Sequence, residues 1–194
     1  MNSLRRICVY CGSKPGGPPV YLEAARDLGR RMAERGIGLV YGGAHVGTMG
    51  AIADAVLASG GEAIGIIPHG LVALEVAHEG LTELHVVETL HERKAKMVEL
   101  SDGLITLPGG FGSHDELFEA LTWLQLGIHD MPVGLLNVAG YYDGLIAHLR
   151  HCEGEGFLPG HVREMLLVDS DPDGLLATMG TWTPPERPTW RSGA

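Results

Sequence analysis

Short runs of β-forming apolar residues alternate along the chain with segments of helical periodicity. The strand-like runs are 7–10, 38–41, 63–67, 84–88, 104–107 and 133–136, with a weaker one at 165–168. In the helical segments, apolar residues recur at three- and four-residue spacing; these are 20–35, 48–59, 90–101, 116–126 and 142–151. Such alternation predicts an α/β fold, a doubly wound and mainly parallel sheet of six to seven strands with helices on both faces.

The length of the chain limits how many such sheets it can build. A chain of 194 residues can bury one sizeable core, so we expect a single Rossmann-like domain over 1–180. The remaining residues, 181–194, include Pro184, Pro185 and Pro188 and are expected to form an extended or disordered tail.

The charge balance is acidic, with 14 Lys and Arg against 24 Asp and Glu and a net charge of -10. No basic block is present, which argues against nucleic-acid and membrane-surface partners. No apolar segment approaches the ~20 residues of a membrane span, and residues 1–6 lead into the first strand without the apolar core of a signal peptide. We therefore expect a cytoplasmic protein.

Three cysteines fit a reducing compartment, although Cys8 and Cys11 have the spacing of a redox pair or of half a zinc site. Residues three apart on a strand face opposite sides, so these thiols meet only if the chain bends. His91 and Glu92 begin an H-E-x-x-H pattern, but Ala95 stands where its second histidine is required. We expect no metal.

Glycine-rich segments follow three of the strand-like runs, at 11–17, 42–50 and 108–112. The carboxyl ends of parallel strands share one edge of the sheet, so the three loops can surround one ligand. Glycines let backbone N–H groups approach an anion closely, which favours a phosphorylated ligand. A tight turn is the alternative explanation of each loop taken alone.

A carboxylate follows the third loop. The sequence turns through its glycines and continues into a helical pattern, in whose first turn we expect Glu116. A carboxylate weakens simple phosphate binding, so Glu116 indicates chemistry beside the phosphate. The alternative is an acid that complements its helix dipole.

A basic pair, Arg93 and Lys94, opens the helix after the fourth strand at the same edge of the sheet. Arg93 and Glu116 can therefore meet across one pocket. A solvated helix face is the alternative explanation of the basic pair.

Comparison with known nucleotide-binding and hydrolase motifs narrows the kind of ligand that the glycine loops can bind. A dinucleotide site needs G-x-G-x-x-G after the first strand, but Gly12 is followed by Ser13 and Lys14. A P-loop needs a lysine that neither 42–48 nor 109–113 supplies, and no G-x-S-x-G elbow is present. A monophosphate site remains.

Three motifs in this order resemble the Lonely guy family of cytokinin riboside 5'-monophosphate phosphoribohydrolases, once widely labelled lysine decarboxylases. They are Gly42-Gly43-x-x-x-Gly47-x-Met49-Gly50, His91-x-Arg93-Lys94 and Pro108-Gly109-Gly110-x-Gly112-Ser113-x-x-Glu116. The resemblance covers about 6–156. It implies hydrolysis of the N-glycosidic bond of an N6-substituted adenosine 5'-monophosphate, without a cofactor, to free base and ribose 5-phosphate.

The resemblance also implies roles for particular residues. Glu116 matches the catalytic glutamate, which stabilises positive charge on the ribose and orients or deprotonates water, and Arg93 matches the catalytic arginine. The implied substrate-binding residues are Gly12, Ser13, Gly43, Glu75, Lys94, Gly109, Gly110, Phe111, Gly112, Ser113, His114, Asp115 and Thr122. A homodimer with the pocket near its interface is implied as well.

The sequence departs from the family pattern at a few of these positions. Ser113 replaces a threonine and keeps the hydroxyl, Phe111 replaces a tyrosine, and Leu90 replaces a methionine at the base pocket. His114 and Asp115 replace a leucine and a glutamate beside Glu116. The chemistry is expected to be intact, while the base preference stays open.

Two alternatives of different kinds remain. One is a nucleosidase for AMP or another purine monophosphate. The other is a non-catalytic carrier of a nucleotide or cofactor, as in the related molybdenum-cofactor carriers; retention of Arg93 and Glu116 favours an enzyme. A decarboxylase is the weakest alternative, because no lysine has the context of a pyridoxal phosphate site.

Overall fold

A computed structural model describes residues 4–72, 77–158, 160 and 162–185. Its strands are β1 (Arg6–Tyr10), β2 (Gly38–Tyr41), β3 (Ala63–Pro68), β4 (Glu83–Val87), β5 (Gly103–Thr106), β6 (Val133–Leu136) and β7 (Leu166–Asp169). Its helices are α1 (Val20–Glu34), α2 (Gly47–Ala58), α3 (Leu90–Glu99), α4 (Phe111–Gln125), α5 (Asp143–Gly154), α6 (Val162–Met165) and α7 (Pro172–Thr181).

The strands form one seven-stranded sheet in the order β4-β3-β2-β1-β5-β6-β7, and every neighbouring pair is parallel. The predicted single-domain, doubly wound fold is therefore confirmed. The chain builds outward from β1 in both directions, because β2 lies on one side of it and β5 on the other. Such a reversal opens a crevice at the carboxyl ends of the strands.

Each face of the sheet is covered by a separate apolar cluster. Residues of α1, α2 and α7 pack on one face, and residues of α3, α4 and α5 pack on the other. Because side chains alternate along β1, Cys8 belongs to the second cluster and Cys11 to the first. Burial raises the pKa of both thiols, for Cys11 to about 12, so both stay protonated near neutral pH.

The main differences from the sequence predictions concern helix boundaries. α4 begins at Phe111 and not at 116, so Glu116 lies in its second turn and the expectation of a first-turn position is wrong. α7 was not predicted, although Asp171 caps it by accepting from the Gly174 N–H (2.9 Å) and Pro172 opens it.

The expected tail begins where α7 ends. Thr181 is the last residue of α7, and the Trp182 indole N–H donates to the Glu164 carbonyl (3.0 Å). The rest of that segment, 186–194, lies outside the described residues. Within the described part of the chain, none of the helices combines the length and apolar character that crossing a membrane requires.

Candidate functional site

A cavity of about 360 Å³ opens at the carboxyl ends of the central strands. It is bounded by the loops that follow β1, β2, β5 and β6 and by the first turns of α3 and α4. The predicted residues that line it are Gly12, Ser13, Arg93, Gly109, Gly110, Phe111, Gly112, Ser113 and Glu116. The sheet edge predicted from the glycines is thus where the cavity lies.

The loop after β1 is fixed to the start of α2. The Gly12 N–H donates to Thr48 Oγ1 (2.9 Å), and the Thr48 hydroxyl donates to the Gly12 carbonyl (2.9 Å). The Thr48 and Met49 N–H groups donate to the same carbonyl at 3.1 and 3.3 Å. The N–H groups of Thr48 and Met49, in the first turn of α2, are therefore satisfied within the protein.

The start of α4 is arranged differently. Gly110 is its N-cap, and no side chain of the described residues caps this end. The Gly109 carbonyl accepts a hydrogen bond from the Tyr141 hydroxyl (2.6 Å), and this bond holds the loop that precedes α4 in place. A Cβ at Gly110 or Gly112 would meet open space. The N–H groups of 111–113 lie in a first helical turn, where an anion can accept from them and benefit from the dipole.

Arg93 is placed by the first turn of α3. Thr89 caps this helix by accepting from the Glu92 N–H (3.1 Å). The Arg93 side chain is 7% exposed, and its Nε donates to the Ile66 carbonyl (3.1 Å) at the end of β3. Its Nη2 reaches the Gly42 carbonyl at 3.4 Å. The guanidinium is therefore held at the carboxyl ends of two strands, in the wall of the cavity.

Glu116 is half-buried in the same wall. Its charge helps to raise the pKa of both Cys8 and Cys11, whereas the charge of Arg93 helps to lower them. Both groups thus act on the end of β1 from the cavity. Because Glu116 lies in the second turn of α4, it is beyond the residues whose charge best complements a helix dipole. That alternative explanation is weakened.

Lys94 and Asp115 meet each other. Lys94 Nζ lies 3.0 Å from Asp115 Oδ2 and 3.0 Å from Glu119 Oε2. Burial lowers the pKa of Lys94, but hydrogen bonds with Glu119 and Asp115 outweigh it and leave the pKa above its ordinary value. Neither Lys94 nor Asp115 belongs to the described residues that line the cavity.

The remaining predicted residues lie elsewhere. Gly43, at φ 80°, accepts from the His78 N–H (2.9 Å) and packs on β3. The ring of His114 is 2.8 Å from the Gly110 carbonyl through Nδ1. Thr122 lines a second cavity, and Glu75 lies outside the described residues.

Several lining residues were not predicted, notably Lys14, Tyr21 and Tyr141. Tyr141 follows β6 at the same sheet edge, so the topological argument applied to the glycines could have found it. Lys14 stands inside the first glycine loop, where a cation beside a predicted phosphate site was a sufficient signal. Tyr21 packs edge-on against Tyr141, with ring centroids 5.6 Å apart, a contact that only the fold creates.

The second cavity, of about 440 Å³, lies between α4 and α5. Its wall is mainly apolar and includes Phe118, Leu121, Ile146 and Leu149. No residue of α5 is fully buried among the described residues. The described residues contain no group of three or more His, Cys, Asp or Glu side chains that could hold a metal ion.

The profile of the family described as "Possible lysine decarboxylase" matches residues 49–179. Solved structures of similar fold include the molybdenum cofactor carrier protein of Chlamydomonas reinhardtii, with a TM-score of 0.67 and 22% identity, covering 89% of this chain and 94% of that one. The molybdenum cofactor binding protein of Rippkaea orientalis has a TM-score of 0.66 and 23% identity, covering 91% of this chain and 96% of that one. At these identities, the likeness shows the fold alone.

Curated relatives are much closer in sequence. The cytokinin riboside 5'-monophosphate phosphoribohydrolase of Rhodococcoides fascians is 46% identical, covering 90% of this chain and 89% of its own. A probable enzyme of the same name from Oryza sativa is 45% identical, covering 95% of this chain and 75% of its own. The cytokinin riboside 5'-monophosphate phosphoribohydrolase of Arabidopsis thaliana is 44% identical, covering 94% of this chain and 85% of its own. The chain therefore belongs to the Lonely guy family, the group whose profile carries the lysine decarboxylase description.

Proposed function

We propose that the chain hydrolyses the N-glycosidic bond of cytokinin riboside 5'-monophosphates, releasing the free base and ribose 5-phosphate. The observation that carries this proposal is that Arg93, Glu116 and the uncapped start of α4 line one cavity. An anion site, a cation and a carboxylate are thus within reach of one ligand. The names of the curated relatives support the same reaction.

The 5'-phosphate binds at the start of α4. There the N–H groups of 111–113 donate to its oxygens, and the Ser113 hydroxyl adds a further donor. The cavity volume of about 360 Å³ is within the ordinary range for a small-molecule site. Because the phosphate is held by backbone geometry, binding requires no basic cluster and is compatible with the chain's net charge of -10.

The chemistry takes place at the anomeric carbon. As the bond from C1' to the base nitrogen breaks, its electron pair leaves with the base and positive charge develops on the ribose ring. Glu116 stabilises that charge and accepts a proton from the water that attacks C1'. One proton of the water ends on the base nitrogen, and the hydroxyl remains on C1' of ribose 5-phosphate.

Arg93 acts from the first turn of α3. Its carbonyl partners Ile66 and Gly42 fix the guanidinium before substrate arrives, so no reorganisation is needed during the reaction. A fixed positive charge in the cavity attracts the ribose phosphate and adds a contact to it.

A homodimer is part of the proposal. The groove between α4 and α5 is apolar and incompletely covered, and Phe118 and Val168 on its wall are about two-fifths exposed. A second copy packed here accounts for that face, and it offers Thr122 a route to the substrate of a partner subunit. Sedimentation of the wild type and of Leu149→Glu tests it: a dimer that the charge dissociates is expected. The cytoplasmic location stays a prediction.

The reaction is tested by chromatographic detection of free base from isopentenyladenosine monophosphate, its riboside and AMP. We expect free base to be released from the modified monophosphate but not from its riboside. We expect Glu116→Gln to lower kcat by ~10²- to 10³-fold. Glu99→Gln, the same change at an exposed site on α3, is the control and is expected to match the wild type.

Other outcomes distinguish the alternatives. Equal or faster release from AMP would make the chain a general purine monophosphate nucleosidase. Nucleotide binding without release from any substrate would contradict the reaction and favour a carrier.

A further inference from the structure

Two neighbouring tyrosines hold backbone carbonyls of the loop between β5 and α4. The Tyr142 hydroxyl donates to the Leu107 carbonyl (2.7 Å), and the Tyr141 hydroxyl donates to the Gly109 carbonyl (2.6 Å). Tyr142 is 1% exposed, and burial raises the pKa of its hydroxyl, which therefore keeps its proton and remains a donor near neutral pH. The base of the loop and its first glycine are thus both held by hydroxyl groups.

His114 holds a third carbonyl of the same loop. Its Nδ1 lies 2.8 Å from the Gly110 carbonyl oxygen. Because a carbonyl oxygen can only accept, Nδ1 carries the proton and the imidazole is the donor. The His114 ring packs edge-on against the Tyr142 ring, with centroids 5.7 Å apart, and Tyr142 packs edge-on against Tyr141 at 4.8 Å. His114, Tyr141 and Tyr142 therefore form one contiguous cluster, here called the carbonyl clamp.

The tyrosines of the clamp are anchored independently of α4. Asn137 directly follows β6, and its side chain accepts from the Tyr142 N–H (2.8 Å) and donates to Asp143 Oδ1 (2.7 Å). The Asn137 N–H donates to the carbonyl of Asp169 (2.8 Å), the last residue of β7. The two hydroxyls therefore reach the loop from a fixed part of the sheet edge.

A held carbonyl also fixes the N–H group of the next residue. In a planar trans peptide, the carbonyl and the following N–H point in opposite directions. The Tyr141 bond therefore sets the direction of the Gly110 N–H, and the His114 bond sets that of the Phe111 N–H. Each bond also covers the negative end of its peptide dipole, which would otherwise repel a nearby anion. Both peptides border the cavity, and the Phe111 N–H is the first of those to which the phosphate is assigned above.

We propose that the side chains of His114, Tyr141 and Tyr142 are positioning groups that pre-form the phosphate site at the start of α4, each acting through the carbonyl that it holds. This inference rests on the proposed function and deepens it, since the phosphate site is part of that function. A pre-formed site avoids the cost of ordering the loop when the ligand binds. Loss of the clamp is therefore expected in phosphate affinity and KM, and not in kcat.

The test measures ribose 5-phosphate binding by calorimetry, together with KM and kcat for isopentenyladenosine monophosphate. Tyr141→Phe removes one hydroxyl and keeps the ring. We expect it to raise the dissociation constant and KM about tenfold, the equivalent of roughly one hydrogen bond, with kcat within about threefold of the wild type. Tyr142 is not among the described residues that line the cavity. Tyr142→Phe acts only at the base of the loop, and we expect a rise in both constants of about threefold.

His114 offers a pair of matched variants. His114→Leu removes the donor to the Gly110 carbonyl and is expected to raise the dissociation constant about threefold or more. His114→Asn keeps an N–H donor near the place of Nδ1 and is expected to stay within about twofold of the wild type. The difference between the two variants reports on the hydrogen bond and not on the loss of the ring.

Tyr41→Phe is the control for the two tyrosine variants. Tyr41 ends β2 and is fully buried, and its hydroxyl has no hydrogen-bond partner in the part of the chain that the structure describes. The same atom is therefore removed from a buried tyrosine that holds no carbonyl. We expect the dissociation constant, KM and kcat of this variant to match those of the wild type.

Three results would overturn the proposal. Wild-type affinity in both Tyr141→Phe and Tyr142→Phe would mean that the loop keeps its shape without the hydroxyls. A loss confined to Tyr141→Phe would mean that this hydroxyl touches the substrate directly and that the cluster does not act together. A fall in kcat with unchanged KM would place the tyrosines in the chemical step.

Ribose 5-phosphate binding also separates this inference from the proposed reaction. If the wild type binds ribose 5-phosphate but releases no base, the reaction is wrong, while the dissociation constants of the variants still support or contradict the clamp. If the wild type does not bind ribose 5-phosphate, the phosphate site is wrong and the inference is overturned, whether or not base is released.

Discussion

Two glycine-rich loops border the same cavity and use most of their glycines in different ways. In the closed loop, Gly42–Gly50, a Cβ at Gly42 would collide with Arg93, one at Gly47 with the Ser13 backbone, and one at Gly50 with the His45 carbonyl. In the open loop, Pro108–Gly112, a Cβ at Gly109 would collide with the Ser113 side chain, but one at Gly110 or Gly112 would meet nothing. Each loop leads into a helix that no described side chain caps.

The difference teaches what glycine in a sequence does and does not indicate. It indicates that something approaches the backbone closely, but not whether protein or ligand does so. In the closed loop the approaching groups are protein, and the Thr48 and Met49 N–H groups are already satisfied by the Gly12 carbonyl. In the open loop a tyrosine hydroxyl holds the Gly109 carbonyl, and residues 109–112 line the cavity.

The largest expected contrast comes from the same substitution in the two loops. Gly50→Ala forces a methyl group onto the His45 carbonyl, and we expect it to destabilise the protein by more than about 4 kcal/mol, or to prevent folding. Gly112→Ala adds a methyl group to open space in a helix and is expected to raise stability by up to about 1 kcal/mol. Urea unfolding of both variants measures the difference. Equal destabilisation would show that the open loop is packed as tightly as the closed one.

The second contrast concerns Arg93. A methyl group at Gly42 occupies the place of the guanidinium Nη2 and comes within 2.9 Å of the Met49 sulfur. We expect Gly42→Ala to lower kcat about 100-fold by moving Arg93, with a smaller effect on phosphate binding at α4. Gly17→Ala, where a Cβ meets nothing within 4 Å, is the control. Unchanged kcat in Gly42→Ala would mean that the position of the guanidinium is not critical.

Much of this arrangement was predictable from the sequence. The strand-like runs follow from local composition, and a parallel sheet brings their carboxyl ends together, which placed the glycine loops, Arg93 and Glu116 at one edge. What was not predictable depends on cross-chain contacts. The start of α4 at Phe111 was missed because glycines have low helical propensity. The ion pairs of Lys94 were not predictable either, because sequence does not reveal that Asp115 and Glu119 reach it from α4.

The third contrast uses two hydroxyls of equal burial, Thr48 at 2% and Ser113 at 3% exposure. Thr48→Val removes both bonds to Gly12 and leaves a buried N–H unpaired, at an expected cost of about 1 to 3 kcal/mol in stability. Ser113→Ala is expected to change stability by less than about 0.5 kcal/mol, but to weaken ribose 5-phosphate binding about tenfold, or 1.4 kcal/mol. Calorimetry and urea unfolding test both. If Thr48→Val instead weakened ribose 5-phosphate binding and Ser113→Ala instead lowered stability, the closed loop would be the one that binds ligand and the open loop the one that holds the fold.

The smallest expected effect tests whether the closed loop seals the end of β1. Cys11 belongs to the same apolar cluster as Ala44 and Met49 of that loop, and burial, reinforced by the charge of Glu116, raises the pKa of its thiol from an ordinary 9.0 to about 12. Between these values the unfolded chain loses the proton while the folded chain keeps it, so stability is complete below pH 9 and falls as pH rises toward 12. At pH 10 the loss due to this thiol is on the order of 1 kcal/mol. Cys8 has the same sign, but it is present in both proteins when the wild type is compared with Cys11→Ala. The wild type is therefore expected to lose on the order of 1 kcal/mol more than Cys11→Ala between pH 7.5 and pH 10 in urea unfolding. Equal losses would mean that water reaches the thiol, and the closed loop would then be open enough to exchange with solvent.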